Sequence, residues 1–417
     1  MLYGCIGEKL GHSFSKIIHN ELYDYSYELK EIPKNELEAF ISKADFKAIN
    51  VTIPYKETVI PYLYEIDENA RKIGAVNTVI NKNGRLYGYN TDFLGLSALI
   101  SRSEIALKGK KVLVLGSGGT SKTALAVAES LGAKTVLRVS RNGRNGLINY
   151  SQAVREHNDA EIIINTTPCG MYPNIGVAAI DIKDFLKLEG VVDAVYNPLC
   201  SELVVKAREK GITAVGGLYM LVAQAVFAAE KFIEADIPAS EIERIYNKLL
   251  QEKRNLVLIG MPGCGKTTIG KAVAKALGKQ FIDSDEEIVK QSGITIPEIF
   301  EKNGEKGFRK IESQVIAELS LLQGKVIATG GGAILNQRNI ELLKANGTVV
   351  FIDRPIEKLV TTSDRPLSSD REMLKKRFEE RYDKYLACAD VTVKAVQKLN
   401  TNITTVKEVF INENFSY

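Results

Sequence analysis

The sequence predicts an α/β protein of roughly two or three domains: an α/β domain first, a doubly wound parallel sheet next, and a further α/β domain last. Three observations predict it. Short apolar runs alternate with helical patterns along the chain. Two glycine-rich turns each follow an apolar strand directly, in KVLVLGSGGTSKTALA around Gly116 and in NLVLIGMPGCGKTTIGKAVA around Gly260. The 417 residues also exceed what one hydrophobic core holds.

From Leu2 to about Ser101, apolar runs such as LYGCIG, FKAINVTIP and VNTVI alternate with helical stretches, giving an α/β domain over 1–101. The pattern restarts at Lys110 with the strand KVLVLG, a helix from about Ser121 to Leu131, and the strands TVLRVS, EIIINTT and GVVDAVY. Strands spaced by helices in this way form a doubly wound parallel sheet, placed over 102–219. After Gly216 comes the helical stretch LYMLVAQAVFAAEKFIEA. A second helix follows Pro238, opened by a capping box at Ser240 and Glu243, with Ile242, Ile245 and Leu249 on one face. These helices, about 220–250, are expected to complete the first domain. Only about Gln251 to Asn255 remain as a connection, so the halves are not joined by a long flexible tether. The last domain spans 254–417, with strands at LVLIG, GKVIAT and TVVFID.

Bulk composition narrows the function classes. Charged residues make up 25% of the chain and the formal net charge is +4, which gives nucleic-acid binding no support. The N-terminus shows no basic segment followed by a long apolar one, and no later run reaches about 18 apolar residues. A cytoplasmic protein without membrane association is therefore expected. The five cysteines are scattered without a C-x-x-C pair, and the three histidines exclude a multi-histidine metal centre.

In GSGGTSKT, Gly116, Gly118 and Gly119 let the strand turn tightly into a helix whose first amides face a pyrophosphate. Ser121 holds the place of the last glycine in the strict dinucleotide fingerprint. At the end of the next strand, Ser140-Arg141-Asn142-Gly143-Arg144 offers two cations and no carboxylate. That suits a 2′-phosphate and favours NADP over NAD, so this domain is expected to be Rossmann-like. Hydride transfer to or from a hydroxyl carbon needs a matching proton transfer. The N-terminal region offers Lys56 in INVTIPYKE and Asp92 in GYNTDFLG, whose residue types alone fit equally an exposed lysine and a turn aspartate.

The second turn is a full G-x-x-x-x-G-K-T, from Gly260 through Gly263 and Gly265 to Lys266 and Thr267, between a strand and a helix. Its amides, with those of Thr268, are expected to bind ATP, with Lys266 on the outer phosphates and the Thr267 hydroxyl on Mg²⁺. This makes the last domain a P-loop domain; many proteins with this loop are ATPases or GTPases, so the acceptor must be read elsewhere. Asp283 and Asp285 in FIDSDEEI end the next strand, as ligands for metal-bound water and an acceptor hydroxyl would. An acidic helix start is the alternative, and it fits Glu286 and Glu287 better. Arg309, the Gly330-Gly331-Gly332 turn, Arg365 and Arg381 supply three cations and an adaptable backbone, suited to a carboxylate acceptor and to charge developing in phosphoryl transfer.

GEKLGHSFSKIIHN, NVTIPYK, GAVNT, GYNTD, GSGGTSKT, INTTPCGM, DAVYNP and GGLYMLVAQA, in this order, resemble the signature series of shikimate dehydrogenase across residues 1 to about 250. The resemblance implies that Ser13, Ser15, Thr52, Asn77, Asp92 and Gln224 hold the hydroxyls and carboxylate of shikimate, and that Lys56 with Asp92 is the catalytic pair. Tyr196 and Met220 match positions lining substrate and nicotinamide. Two departures bear on affinity: Lys16 stands where a proline is usual, and Ser140 where an asparagine is usual.

Residues 254 to about 395 resemble shikimate kinase, which implies a P-loop α/β domain of the nucleoside monophosphate kinase type. This implies that Asp285, Arg309, Gly331 and Arg381 hold shikimate, with Asp285 also the base toward its hydroxyl. Asp283 belongs to the Mg²⁺ shell through water, and Arg365 is a lid residue reaching the phosphates. The stretch RPIEKLVTTSDRPL is shorter than usual and lacks the arginine that normally stacks near adenine.

Together the resemblances imply a bifunctional enzyme of chorismate and aromatic amino acid biosynthesis. It would reduce 3-dehydroshikimate with NADPH, then phosphorylate shikimate to shikimate 3-phosphate with ATP and Mg²⁺, as a monomer or homodimer. Two alternatives stay open: one half binds its ligand without turning it over, as a regulator, or the dehydrogenase half also accepts quinate and NAD. The intact Lys56, Asp92, Lys266, Asp285 and Arg309 speak against the first, and Arg141 with Arg144 against NAD.

Overall fold

The computed structural model describes residues 2–10, 14–144, 146–359 and 371–412. Among them the strands form three sheets. The first orders Tyr27–Glu31, Tyr3–Gly7, Ala48–Val51, Thr78–Lys82, Arg85–Tyr89 and Glu65–Ile66. It is mixed, because Thr78–Lys82 runs antiparallel to both neighbours. Asn83 and Gly84, both at positive φ, close the tight hairpin that reverses the chain there. Ala48–Val51 is buried at every residue, as a strand covered on both faces must be.

The second sheet orders Thr213–Val215, Gly190–Asp193, Ile162–Asn165, Lys111–Leu115, Thr135–Ser140 and Ile148–Asn149. All its pairings are parallel. The chain starts in the middle, at Lys111–Leu115, and steps outward first to one side and then to the other. The strand order therefore switches at the end of that strand, where Gly116 begins, the crevice in which such sheets bind ligands. The third sheet is also parallel, ordered Gln280–Asp283, Lys325–Ala328, Asn255–Ile259, Gly347–Asp353 and Val391–Lys394. Its central strand runs straight into Gly260.

Two helices bring distant segments together beside the first glycine turn. Thr91–Arg102 crosses Leu218–Ile233 so closely that a Cβ on Gly95 would lie 2.8 Å from the Met220 carbonyl oxygen and 2.8 Å from Gln224 Cβ. Only glycine allows that approach. It fixes Asp92, at the start of one helix, relative to Gln224 in the other.

The structure corrects three expectations. Ser140 ends its strand as expected, but Ser240 does not cap the following helix. Ser240–Lys253 has Ala239 at its N-cap with no side-chain bond, and Glu243 instead pairs with Arg102 at 2.9 Å. The pair is the better use of Glu243, since Arg102 also stacks on Tyr219 and Tyr246 at 4.8 and 4.7 Å. The connection is shorter than expected, because the helix runs to Lys253 and the strand starts at Asn255. Asp285 does not end a strand: the strand stops at Asp283, whose carboxylate caps the Ser284–Ser292 helix, and Asp285 lies in that helix's first turn. Asp283 and Asp285 thus themselves belong to the acidic helix start, together with Glu286 and Glu287.

The junction is held tightly. Lys279 Nζ donates to the carbonyl oxygens of Gln251, Glu252 and Arg254 at 2.6, 3.1 and 3.0 Å, satisfying the orphan end of the connecting helix. Burial pushes this ammonium down to about 8. Arg254, 2% exposed, lies on the Phe410 ring at 4.4 Å and donates to the Phe410 carbonyl.

His19 is fully buried in the first unit, stacked on Tyr27 at 4.0 Å with Nδ1 2.6 Å from the Tyr25 hydroxyl. Burial, only partly offset by Asn50, pushes its pKa down to about 3. The unfolded chain, with an ordinary imidazole, binds the proton first. Stability from the neutral ring is therefore complete above about pH 6.5 and is lost as pH falls toward 3. Between pH 7.5 and 5 this group is expected to cost about 2 kcal/mol. Calorimetry of wild type and His19→Gln should show a smaller acid-induced fall in the first transition of the variant.

Candidate active sites

Lys56 follows the Ala48–Val51 strand, and its carbonyl accepts from Val76 N at 2.7 Å. Its Nζ meets Asp92 Oδ2 at 2.5 Å, with side-chain exposures of 14% and 9%. The polar residues around the pair form a network. Asn77 Oδ1 accepts from Thr91 N at 2.7 Å, and Asn77 Nδ2 donates to Thr91 Oγ1 at 3.0 Å and to Gln224 Oε1 at 3.5 Å. Gln224 Nε2 donates to the Leu221 carbonyl at 2.9 Å. Asn77, Thr91, Asp92 and Gln224 are thus brought to one place from three segments. Ser15 opens the Ser15–Leu22 helix, Thr52 follows the strand with its methyl against Gly7, and the Tyr196 ring lies 5.4 Å from that of Phe14. Ser13 lies outside the described residues.

The first glycine turn stands directly over this network. A Cβ on Gly119 would lie 3.8 Å from Lys56 Cδ and 3.8 Å from Ala75 Cβ, while Lys122 pairs with Glu57 at 2.8 Å. Gly116, at φ 128°, makes the turn, and Gly118 is the N-cap of the Gly119–Ser130 helix. A Cβ on Gly118 would meet no protein atom within 4 Å, so open space, not packing, lies in front of these amides. A diphosphate fits there. Met220 is buried in the first turn of its helix, at 7% exposure. Ser140 Oγ accepts from Gly143 N at 3.2 Å, shaping a turn from which Arg141 and Arg144 extend exposed.

In the second turn Gly260, Gly263 and Gly265 all have positive φ, and Gly265 leads into the Lys266–Leu277 helix with Lys266, Thr267 and Thr268 in its first turn. Lys266 is buried, with Nζ donating to the carbonyls of Gly260 and Met261 at 2.8 and 3.1 Å. Thr267 Oγ1 donates to Asp283 Oδ2 at 2.8 Å. A hydroxyl beside a carboxylate next to phosphate-binding amides is a donor set that suits Mg²⁺.

Beside this loop lies a cluster of charges packed on a backbone without side chains. A Cβ on Gly331 would be 2.7 Å from Pro262 Cδ, so the triple-glycine turn touches the phosphate loop. A Cβ on Gly330 would fall 2.7 Å from Asp285 Oδ1 and 2.9 Å from Glu312 Oε1, and one on Gly332 would strike the Arg309 guanidinium. Arg309 Nη1 pairs with Glu312 Oε2 at 2.7 Å and Nη2 with Glu305 at 3.1 Å. Arg381, 7% exposed, donates to the Gly331 carbonyl at 3.3 Å. Burial pushes the Glu312 carboxyl up, outweighing the attraction of Arg309. Burial opposes the Arg309 charge too, but Glu312 and Glu305 outweigh it and hold the guanidinium above its ordinary value.

Glu312, buried against Arg309, is a member of this cluster that the motifs do not single out. The available signal is its spacing three residues after Arg309 on one helix, which puts the two side chains on the same face. Arg365 lies outside the described residues.

Two family models match the chain: the shikimate dehydrogenase substrate binding domain over residues 5–79 and shikimate kinase over residues 262–410. The chain is 39% identical over 265 residues to the shikimate dehydrogenase (NADP(+)) of Clostridium perfringens, covering 60% of this chain and 98% of that one. Among solved structures it is similar to shikimate dehydrogenase 1 of Peptoclostridium difficile, at 34% identity and TM-score 0.56 over 60% of this chain and 97% of that one. It is also similar to a chorismate mutase/shikimate 5-dehydrogenase fusion protein of Clostridium acetobutylicum, at 37% identity and TM-score 0.56, covering 60% and 96%. With the Lys56–Asp92 network beside the first glycine turn in one half, and the second glycine turn beside the cluster of Asp285, Arg309, Glu312 and Arg381 in the other, the chain belongs to the shikimate dehydrogenase family and carries a shikimate kinase domain in the same polypeptide.

Proposed function

We propose that this bifunctional enzyme reduces 3-dehydroshikimate to shikimate at the Lys56–Asp92 site and phosphorylates shikimate at the Asp285–Arg309–Arg381 site. The observation that carries the assignment is that each nucleotide loop abuts its own charged pocket, Gly119 against Lys56 and Pro262 against Gly331. When bound, the nicotinamide of NADPH supplies a hydride, and ATP with Mg²⁺ supplies the phosphoryl group.

In the first site Lys56 gives a proton to the carbonyl oxygen that becomes the new hydroxyl. Asp92 holds the ammonium in place and offsets its charge. Ser13, Ser15, Thr52, Asn77, Tyr196 and Gln224 bind the remaining hydroxyls and the carboxylate. Gly116, Gly118 and Gly119 take the cofactor's diphosphate, Met220 its nicotinamide end, and Ser140, Arg141 and Arg144 the 2′-phosphate. In the second site Arg309 and Arg381 grip the shikimate carboxylate, Gly331 contributes backbone, and Asp285 takes the proton of the attacking hydroxyl. Glu312 holds Arg309 in position. Lys266, aided by Arg365, would neutralise the phosphates and the amides of Gly260, Gly263, Gly265, Lys266, Thr267 and Thr268 would donate to them, while Thr267 and, through water, Asp283 would hold Mg²⁺. The domain limits follow: 1–101 with helices from about 220–250 for substrate, 102–219 for NADP, and 254–417 for the kinase.

Lys56→Ala should lower dehydrogenase kcat by about a thousandfold and leave the kinase untouched, and Lys266→Ala should do the reverse. Separate assays of the two activities on each variant check this; joint loss from either substitution contradicts the assignment.

Arg141→Ala should raise KM for NADPH about 10- to 100-fold and leave the slow rate with NADH unchanged. Equal changes with both coenzymes would remove Arg141 from the phosphate site.

A further inference from the structure

The segment from Val195 to Ser201 follows the Gly190–Asp193 strand and carries Tyr196. It is clamped at its base by Asp193, whose Oδ1 accepts from Val195 N at 2.9 Å and from Asn165 Nδ2 at 2.9 Å, and whose Oδ2 accepts from Ser201 Oγ at 2.5 Å. Gly216 and Gly217 pack underneath, where a Cβ would lie 2.4 Å from the Leu199 carbonyl oxygen and 2.3 Å from that of Ala194. The far side of the turn is completed by the kinase half. Leu199 N donates to Asn346 Oδ1 at 3.1 Å, and Cys200 N donates to the Ala345 carbonyl at 2.8 Å. Gln323 Nε2 donates to Asn197 Oδ1 at 3.1 Å and to Asn346 Oδ1 at 3.3 Å, and Asn346 Nδ2 is anchored on the Ser320 carbonyl at 3.0 Å.

These bonds sit in a dry interface, with Leu199, Cys200, Ala345 and Asn346 between 0% and 4% exposed. A backbone donor left there without its acceptor has no water to replace it. Arg338 extends the contact, pairing with the buried Glu202 at 2.8 Å and donating to the Gly176 carbonyl. Glu202 opens the helix that Ser201 caps. The helix Gln337–Asn346 thus holds the turn at Leu199 and Cys200 and the helix after it at Glu202, while Gln323, outside that helix, holds Asn197.

We infer that the kinase half braces the dehydrogenase site: Gln323 and Asn346 are positioning residues for the reduction, acting through the Asn197–Cys200 turn on Tyr196. The inference rests on the assignment of Tyr196 to the substrate pocket given above. Neither Gln323 nor Asn346 belongs to the phosphoryl-transfer site, so their loss separates the two activities in an unexpected direction. A change in the kinase half impairs the dehydrogenase.

The test uses the full chain. Gln323→Glu places a carboxylate against two carbonyl oxygens, and Asn346→Ala removes the acceptor for Leu199 N. Each should raise KM for 3-dehydroshikimate about tenfold at saturating NADPH, with kcat within about threefold. Kinase KM and kcat for shikimate in the same preparations should stay within about twofold of the unmodified chain. An unchanged dehydrogenase KM in both variants overturns the inference, as does a parallel fall of both activities with a lowered Tm, which marks a merely structural contact. Failure of the unmodified chain to reduce 3-dehydroshikimate would instead overturn the functional assignment, and it shows before any variant is made.

Discussion

Lys56 and Asp92 are 36 residues apart in sequence, and the fold sets their charges 2.5 Å apart where both side chains are largely removed from water. Either charge alone would be costly there, and together they compensate. Much of the N-terminal architecture is needed to hold that arrangement. The antiparallel hairpin at Asn83 and Gly84 brings Asn77 level with Thr91, Gly95 lets the Leu218–Ile233 helix close on the Asp92 helix, and the Gly116 turn places a phosphate-binding helix above the lysine. The ion pair and the first glycine turn are thus joined by backbone geometry at a few glycines.

The kinase half meets the same constraint in another way. Three charged side chains, Asp285, Glu312 and Arg309, press against Gly330 and Gly332, where any Cβ would displace them. Charge is packed onto bare backbone, and Arg381 and Tyr385 close the turn from the other side through the Gly331 carbonyl. Because Pro262 of the second glycine turn rests on Gly331, that turn and the charged cluster around Gly330 and Gly332 share a wall, and under the proposed roles donor and acceptor are adjacent. An in-line transfer needs this adjacency.

The parts of this structure that were legible in sequence are those whose physics is local. A strand followed by glycines and a helix start specifies a phosphate loop within about a dozen residues, so both loops, and the sheets around them, could be read directly. Buried strands such as Val112–Leu115 declare themselves as unbroken apolar runs, whereas the edge strand Tyr27–Glu31 is largely solvent-exposed and polar and carries no such signal. The Asn83–Gly84 hairpin did have a signal, its turn dipeptide. Glu312 was obscured because a carboxylate on a helix is usually a solvated one, and only the fold shows it to be 1% exposed. Ser240 misled in the opposite sense, since a capping pattern sets no obligation on Glu243 when Arg102 and two tyrosine rings compete for it. The contacts of Asn346 and Gln323 with the Asn197–Cys200 turn join segments more than a hundred residues apart and have no local trace.

The chain joins a shikimate dehydrogenase and a shikimate kinase domain, and the two halves share a dry, hydrogen-bonded interface at Leu199, Cys200, Ala345 and Asn346. The product of one site is the substrate of the other. Coupled turnover tests this most directly, with the purified chain given 3-dehydroshikimate, NADPH, ATP and Mg²⁺ while NADPH oxidation and ADP formation are followed together. The predicted result is that ADP appears only after NADPH oxidation begins, and that omitting NADPH abolishes it. Oxidation of NADPH without any ADP, even when shikimate itself is then supplied, would contradict the account.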